Sequence, residues 1–203
     1  MGNAFAEIAF TEGVRAAQEA HGSRAHYARV EQGVRHNDRL TAREEQFIEA
    51  RDSFYMASVS EAGWPYVQHR GGPAGFLKVL DDGTLGFADF RGNRQYVSVG
   101  NLWNDDRVSL ILVDYPNRER LKILGHAQIV PAEQTEALAR LQTPGYRGKA
   151  ERGMLIRIAA FDWNCPQHIT PRFTAEQVEG EVAPLRARIA ELERALAGPG
   201  APV

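Results

Sequence analysis

Phe87-Ala88-Asp89-Phe90-Arg91-Gly92-Asn93-Arg94-Gln95-Tyr96 is the stretch on which the reading of this chain turns. Residues 84–90 alternate and cluster β-prone side chains, Arg91 and Gly92 make a turn, and from Gly92 to Asn104 the residues Tyr96, Val97, Val99, Gly100 and Trp103 recur at roughly helical spacing. A strand is therefore expected to end in a glycine-containing turn and enter a short helix. Such a junction suits a terminal phosphate. Arginine offers a planar fork of donors, Asn93 adds an amide, and the N–H groups at a helix start face outward with the positive end of the dipole. Strand–turn–helix junctions with surface arginines also occur without any ligand, so on spacing alone both readings stand.

Working outward, the flanks read as strands. Toward the N-terminus, residues 53–60 and 64–71 flank Glu61-Ala62-Gly63, and residues 76–80 and 84–90 flank Asp81-Asp82-Gly83, which makes two hairpins in succession. Toward the C-terminus, residues 107–114 and 119–130 form two long strands across Tyr115-Pro116-Asn117-Arg118, apolar enough on both sides for both faces to be buried. Residues 131–141 suggest a helix broken by Thr143-Pro144-Gly145, and residues 154–161 a last strand. Six or seven strands with few helices predict a mainly β chain, a β-barrel with flanking helices. Three parts are expected: an N-terminal arm at 1–40, a barrel domain at 41–173, and a helical tail at 174–203.

The arm has no sustained period, apart from a possible helix near residues 11–20. Thr41 with Glu44 forms a capping box that opens a helix over 42–51, with Phe47, Ile48 and Ala50 as its packing face. In the tail, Val178, Val182, Leu185, Ile189, Leu192 and Leu196 follow a 4-3-4-3-4 spacing, the seam of a short coiled coil, interrupted by Pro184. That seam suits either its own barrel or a dimer zipper. The last residues, 198–203, are expected to fray.

Composition narrows the function classes. Of 203 residues 43% are hydrophobic, and 24 basic residues against 26 acidic ones leave a net charge of −2, so neither a nucleic-acid nor an anionic-membrane footprint is present. The first twenty residues carry Glu7, Glu12 and Arg15, unlike a signal peptide or membrane span, and the single cysteine, Cys165, suits a reducing compartment. A cytoplasmic protein is expected.

Pro65-Tyr66-Val67-Gln68-His69-Arg70-Gly71-Gly72-Pro73 supplies a context for the phosphate junction: a strand that ends in polar groups and two glycines, where a flat ligand can approach the backbone. With these residues, positions 63–130 resemble the pyridoxamine 5′-phosphate oxidase-like family of FMN-binding split barrels. Positions 52–173 resemble, more closely, a subgroup described only as flavin-nucleotide-binding proteins, through Gln68-His69-Arg70-Gly71-Gly72 and Asn164-Cys165-Pro166-Gln167-His168. The resemblance implies an FMN-binding split barrel. It matches Asn93 and Arg94 to the pair that holds the FMN phosphate, and Phe87 and Ala88 to the strand end beside the phosphate and ribityl chain. It matches Gln68 to the arginine opening the flavin-binding strand, and sets His69, Arg70 and Gly71 along the isoalloxazine edge. The family's strand lysine falls at Pro73, and its Arg-Lys pair has become Asn-Arg, so Arg70 or Arg91 is left to replace the missing cation. The basic residues that hold a vitamin B6 substrate have no counterpart.

The segment Phe161-Asp162-Trp163-Asn164-Cys165-Pro166-Gln167-His168-Ile169-Thr170-Pro171-Arg172 is the second constellation. By resemblance it reaches the flavin of a partner subunit, which sets Trp163, Asn164, Gln167 and His168, with Arg172, on the substrate side of the ring. The alternative is that Trp163 anchors the barrel end and His168 is a surface group. Cys165-x₂-His168 has one metal-like spacing, too little for a metal site, and no Ser-His-Asp set, P-loop or G-x-G-x-x-G is present. The function implied is that of an FMN-dependent oxidoreductase, a homodimer taking a small-molecule substrate or electrons from NADH or NADPH. The alternatives are a non-catalytic flavin carrier or sensor, or a split barrel using haem or a deazaflavin.

Overall fold

A computed structural model describes residues 2–33 and 36–197; the expected fraying of 198–203 concerns positions outside the described residues. Three short helices make up the arm: α1 (Ala4–Ala9), α2 (Glu12–Ala20) and α3 (Arg24–Glu31). Their ends are set by local polar groups: the Asn3 side chain accepts from Ala6 N at 2.9 Å, and Thr11 Oγ1 accepts from Val14 N at 3.4 Å. Arg15 and Arg24 both bind Glu31, which ties α2 to α3. Only α2, the longest at nine residues, is foreseen; the six and eight residues of α1 and α3 hold too few turns to show a period.

The capping box at Thr41 and Glu44 opens α4 (Ala42–Glu49), which buries Phe47 and Ile48 while Ala50 stays exposed. Seven strands follow in chain order: β1 (Ser53–Val59), β2 (Pro65–Gly71), β3 (Lys78–Asp81), β4 (Thr84–Phe90), β5 (Arg107–Asp114), β6 (Glu119–Val130) and β7 (Ala150–Asn164). Helix α5 (Val97–Asn101) lies between β4 and β5, and α6 (Thr135–Leu141) between β6 and β7. The strands form one antiparallel sheet in the order β2-β1-β5-β6-β7-β4-β3. Gly63 makes the first hairpin turn with φ +83°, a conformation costly to any residue with a Cβ.

The sheet curls on itself. Phe54 of β1 and Phe87 of β4 lie near opposite ends of the strand order, yet their ring centroids are 5.3 Å apart, and Phe76 stacks on Phe54 at 5.7 Å. Met56, Leu85, Leu110, Leu112, Leu121, Ile123, Met154 and Ile156 fill the same core. The edges β2 and β3 do not pair with each other, so the barrel is split between them.

Several expectations need correcting. β5 and β6 alternate between buried and more exposed positions, so only their inner face is buried within one chain; Ile111, Val113 and Leu124 stand half-buried outside. β7 runs fifteen residues rather than eight, because as a central strand it finds partners on both sides, in β4 and β6, and its polar ends are drawn into the ladders. Between Leu124 and Gly125 the register skips Ala159, an extra residue that bulges and bends β7 there, and a Cβ on Gly125 would stand 2.6 Å from the Arg157 carbonyl oxygen.

By density of contact the chain divides into one unit of Met1–Asp114 with Glu119–Pro166, and a second of Tyr115–Arg118 with Gln167–Val203. In the second, α7 (Ala175–Ala197) passes through Pro184 without a break. Proline removes one intrahelical bond, to the carbonyl of Gly180, and exposure lets water replace it. No residue of α7 is buried, its apolar seam included. No helix among the described residues is long and apolar enough to cross a membrane.

Candidate functional site

The strand–turn–helix junction opens a small cleft of about 50 Å³ beside β2 and β4. Its walls are Gln68 and Arg70 from β2, Asp89 and Phe90 from β4, Asn93, Arg94 and Tyr96 from the turn, Ser98 from α5, and Glu151 from the start of β7. Four of the residues singled out from sequence thus meet here: Gln68, Arg70, Asn93 and Arg94. The period of a strand explains the first two, since side chains two apart share a face.

The turn differs from its expected form. Arg94 and Tyr96 adopt φ values of +63° and +54°, so the helix cannot extend upstream and α5 begins at Val97. With only five residues it is too short to offer the phosphate a substantial dipole. Side chains organise the turn instead. The Asn93 side-chain oxygen accepts from Gln95 N at 3.2 Å, Arg94 Nε donates to the Tyr96 hydroxyl at 3.2 Å, and that hydroxyl donates to Glu151 at 3.3 Å. α5 is pinned to the barrel by Asn101 Nδ2, which donates to Ser58 Oγ at 2.9 Å, both groups being buried. Ser98 Oγ donates to Gln68 Oε1 at 3.1 Å, which fixes the β2 amide against α5.

Charge is concentrated around the cleft. Arg70 binds Asp89 at 2.6 Å, with both side chains 11% exposed, and Arg152 lies 3.7 Å from the other Asp89 oxygen and 3.1 Å from Glu151. Burial pushes the Asp89 carboxyl above its ordinary value, and Arg70 and Arg152 oppose that shift without cancelling it. Arg91 reaches Glu151 at 3.6 Å. Four guanidinium groups (Arg70, Arg91, Arg94 and Arg152) therefore face two carboxylates. The Nε–H of Arg70 is buried and has no hydrogen-bond partner, whereas the buried Nε of Arg152 is the atom that faces Asp89 Oδ2 at 3.7 Å. An orphaned cationic donor beside an excess of positive charge suits a multiply charged anion with several acceptor oxygens.

The other residues marked from sequence lie elsewhere. His69 and Gly71 are on the opposite face of β2 from Gln68 and Arg70, and His69 meets the edge of Tyr55 at 5.4 Å. Phe87 belongs to the core, with the Arg70 guanidinium 5.9 Å from its ring, and Ala88 is buried beside it. Trp163 and Asn164 end β7, the strand whose start carries Glu151, so roughly 40 Å of strand contour separates them from the cleft at about 3.3 Å per residue. Trp163 Nε1 donates to Glu44 Oε1 at 2.7 Å, its ring meets Phe47 at 4.8 Å, and Arg43 covers it at 4.1 Å. Burial raises the Glu44 carboxyl, but bonds from the Thr41 hydroxyl, the Trp163 indole and the Thr41 backbone outweigh burial and hold it below its ordinary value. Gln167 and His168 are exposed, and Cys165 is a free, exposed thiol.

Sequence reasoning missed Asp89, Tyr96, Ser98, Glu151 and Arg152 as parts of this site. Asp89 stood inside the decisive stretch, and an acid flanked by Phe residues within a strand was its available signal. Glu151 and Arg152 carried none, since they precede the stretch recognisable as a strand.

Comparison with known proteins now adds to this geometry. The sequence profile described as pyridoxamine 5′-phosphate oxidase matches residues 40–157. No curated protein matches the chain. Among solved structures, it is similar to a putative pyridoxamine 5′-phosphate oxidase from Lactobacillus delbrueckii subsp., at 20% identity over 62% of this chain and 94% of that one, with a TM-score of 0.47. An FMN-binding protein from Syntrophomonas wolfei subsp. wolfei is 12% identical over 72% and 97% of the two chains, also with a TM-score of 0.47. HupZ of Group A Streptococcus is 14% identical over 66% and 99%, with a TM-score of 0.48.

Proposed function

The chain belongs to the pyridoxamine 5′-phosphate oxidase family, and from that premise we propose that it binds FMN, phosphate end in the Arg70–Asn93–Arg94 cleft, and acts as a flavin-dependent oxidoreductase. The observation that carries this reading is the buried, unpartnered Nε–H of Arg70 in the wall of a cleft with excess positive charge. A phosphate dianion offers the acceptor oxygens and the charge that this donor lacks. Gln68, held by Ser98, presents an amide at the same wall. Phe87 and Ala88 stiffen the strand beneath without touching the cleft.

When bound, the flavin supplies hydride and single-electron transfer through its own ring, so the protein's part is to grip, orient and shield it. Arg70, Arg94 and Asn93 hold the phosphate end, and Arg152 behind Asp89 supplies a third guanidinium. Asp89 keeps Arg70 in place. Electrons come from NADH or NADPH in this reading.

A homodimer belongs to the same proposal. Ile111, Val113 and Leu124 on the outer face of β5 and β6 offer it apolar surface. Trp163 and Asn164, which end β7 at the opposite end from Glu151, then meet the flavin of the partner, together with Gln167 and His168 that follow them in the chain.

Titration of the purified protein with FMN and riboflavin tests the site. One FMN per subunit, bound much more tightly than riboflavin, supports it, and equal affinities refute the phosphate assignment. Anaerobic mixing with NADH or NADPH tests the oxidoreductase role. Bleaching of the flavin absorbance supports it, a loaded flavin that neither nucleotide reduces makes the chain a carrier or sensor, and a haem or deazaflavin spectrum replaces FMN in the proposal.

A further inference from the structure

Helix α7 exposes an apolar stripe for which the chain's own sequence supplies a complement. Val178, Leu185, Ile189, Leu192 and Leu196 are 46–87% exposed and recur, with Val182, in a heptad order. Setting Val182, Ile189 and Leu196 at position a makes Val178, Leu185 and Leu192 position d. β-branched residues at a with leucine at d, as in the four central layers from Val182 to Leu192, favour two parallel strands. The flanking charges discriminate orientation. Position e carries Glu179, Arg186 and Glu193, and position g carries Glu181 and Arg188. In a parallel, in-register pair, g of one helix faces the following e of the other, so Glu181 meets the partner's Arg186 and Arg188 meets the partner's Glu193, twice over by symmetry. The antiparallel arrangement that matches all six apolar layers sets Arg186 against the partner's Arg186, Arg188 against the partner's Arg188, and Glu179 against the partner's Glu193. Every charged pair there is repulsive.

We infer that α7 pairs with α7 of a second copy of this chain as a parallel, in-register, two-stranded coiled coil. Pro184 falls at position c, on the outside of the pair, and Gly180 at f, so the seam is unobstructed. Arg186 already lies along the e flank, bonded to Glu179 at 3.0 Å across the Pro184 turn. Three heptads are short for an independent zipper, and attachment to a folded domain raises the effective concentration of the two helices whenever the domains are also paired.

The test uses the full chain with its lone cysteine removed by Cys165→Ser. Adding Leu192→Cys places identical d residues face to face, within disulfide reach, whereas Ala187→Cys lies at position f on the outer face. In a glutathione redox buffer Leu192→Cys should give at least about fivefold more covalent dimer than Ala187→Cys. Combining Leu192→Cys with Arg186→Glu and Arg188→Glu should suppress that dimer, and further reversal by Glu181→Arg and Glu193→Arg should restore it. Restoration guards against a helix that merely fails to form. Equal cross-linking at 187 and 192, a preference of Leu192→Cys for Val182→Cys on a second copy, or indifference to charge reversal would each overturn the inference.

Discussion

Arg70 is the side chain on which the cofactor proposal can be tested most directly, through Arg70→Gln. Its guanidinium is almost wholly buried, binds Asp89 at 2.6 Å and keeps an unpartnered Nε–H. If that N–H meets a phosphate oxygen, the variant loses a charge-assisted hydrogen bond worth about 1.5–3 kcal/mol. At 1.4 kcal/mol per factor of ten, FMN should bind roughly 10- to 150-fold more weakly. Riboflavin, which lacks the phosphate, should change little, so the ratio of the two affinities measured by calorimetry isolates the effect. The variant also leaves buried Asp89 with Arg152 at 3.7 Å as its remaining partner, and its stability should fall by up to about 3–5 kcal/mol, read from urea unfolding. Asp89→Asn supplies the opposite sign: it keeps the Arg70 charge and removes the competing carboxylate, so FMN affinity should hold or rise. A folded Arg70→Gln protein with an unchanged FMN-to-riboflavin ratio would refute the reasoning.

Other outcomes follow from the same geometry. Arg94 is exposed in the protomer, so Arg94→Ala should cost about 1 kcal/mol of FMN affinity, roughly fivefold, unless a partner subunit covers it; a far larger loss on titration would show that cover. Asn101→Ala leaves the buried Ser58 hydroxyl unpaired and should lower unfolding stability by about 1–3 kcal/mol, and an unchanged denaturation midpoint would mean that α5 is anchored otherwise. The Glu44 carboxyl is held below its ordinary value of 4.5 by groups that bond its ionised form. Its stabilisation is therefore complete above that value and lost as pH falls through the lower folded one, so Trp163 fluorescence should shift in that acid range, and Glu44→Gln should remove the shift. Trp163→Ala deletes the ring against Phe47 and strands Glu44, costing about 2–4 kcal/mol and changing the bound flavin spectrum if the segment reaches a partner's ring, while Cys165→Ser should leave stability and spectrum alone. The reverse pattern would make the thiol the functional group.

Legibility varied with the kind of signal each residue carried. Period-two strands bounded by Gly63, by Gly83 and by the Tyr115–Arg118 turn could be read directly, since turn chemistry and alternation act over a few residues. The pairing of β4 with β7 could not, because nothing local to Thr84 points to Arg157. The same division runs through the cleft. Gln68, Arg70, Asn93 and Arg94 were marked by strand period and by a polar turn, whereas Glu151 and Arg152 arrive from a distant strand. The extent of α5 was misjudged because the side-chain period continued upstream while the backbone, left-handed at Arg94 and Tyr96, did not.

The late position of β7 bears on how the chain is made. Both β4 and β6 find a neighbour in it, and of the seven strands of the sheet it leaves the ribosome last. Until it emerges, the β3–β4 hairpin has no other strand to join, and β6 presents an open row of amides and carbonyls. A nascent chain stalled before Ala150 would thus display two unpaired edges above an unsealed set of Phe54, Phe76 and Phe87 rings, the surface to which chaperones bind and on which strands of neighbouring chains add. Synthesis rate across the α6–β7 segment therefore sets how long each molecule spends exposed to that hazard.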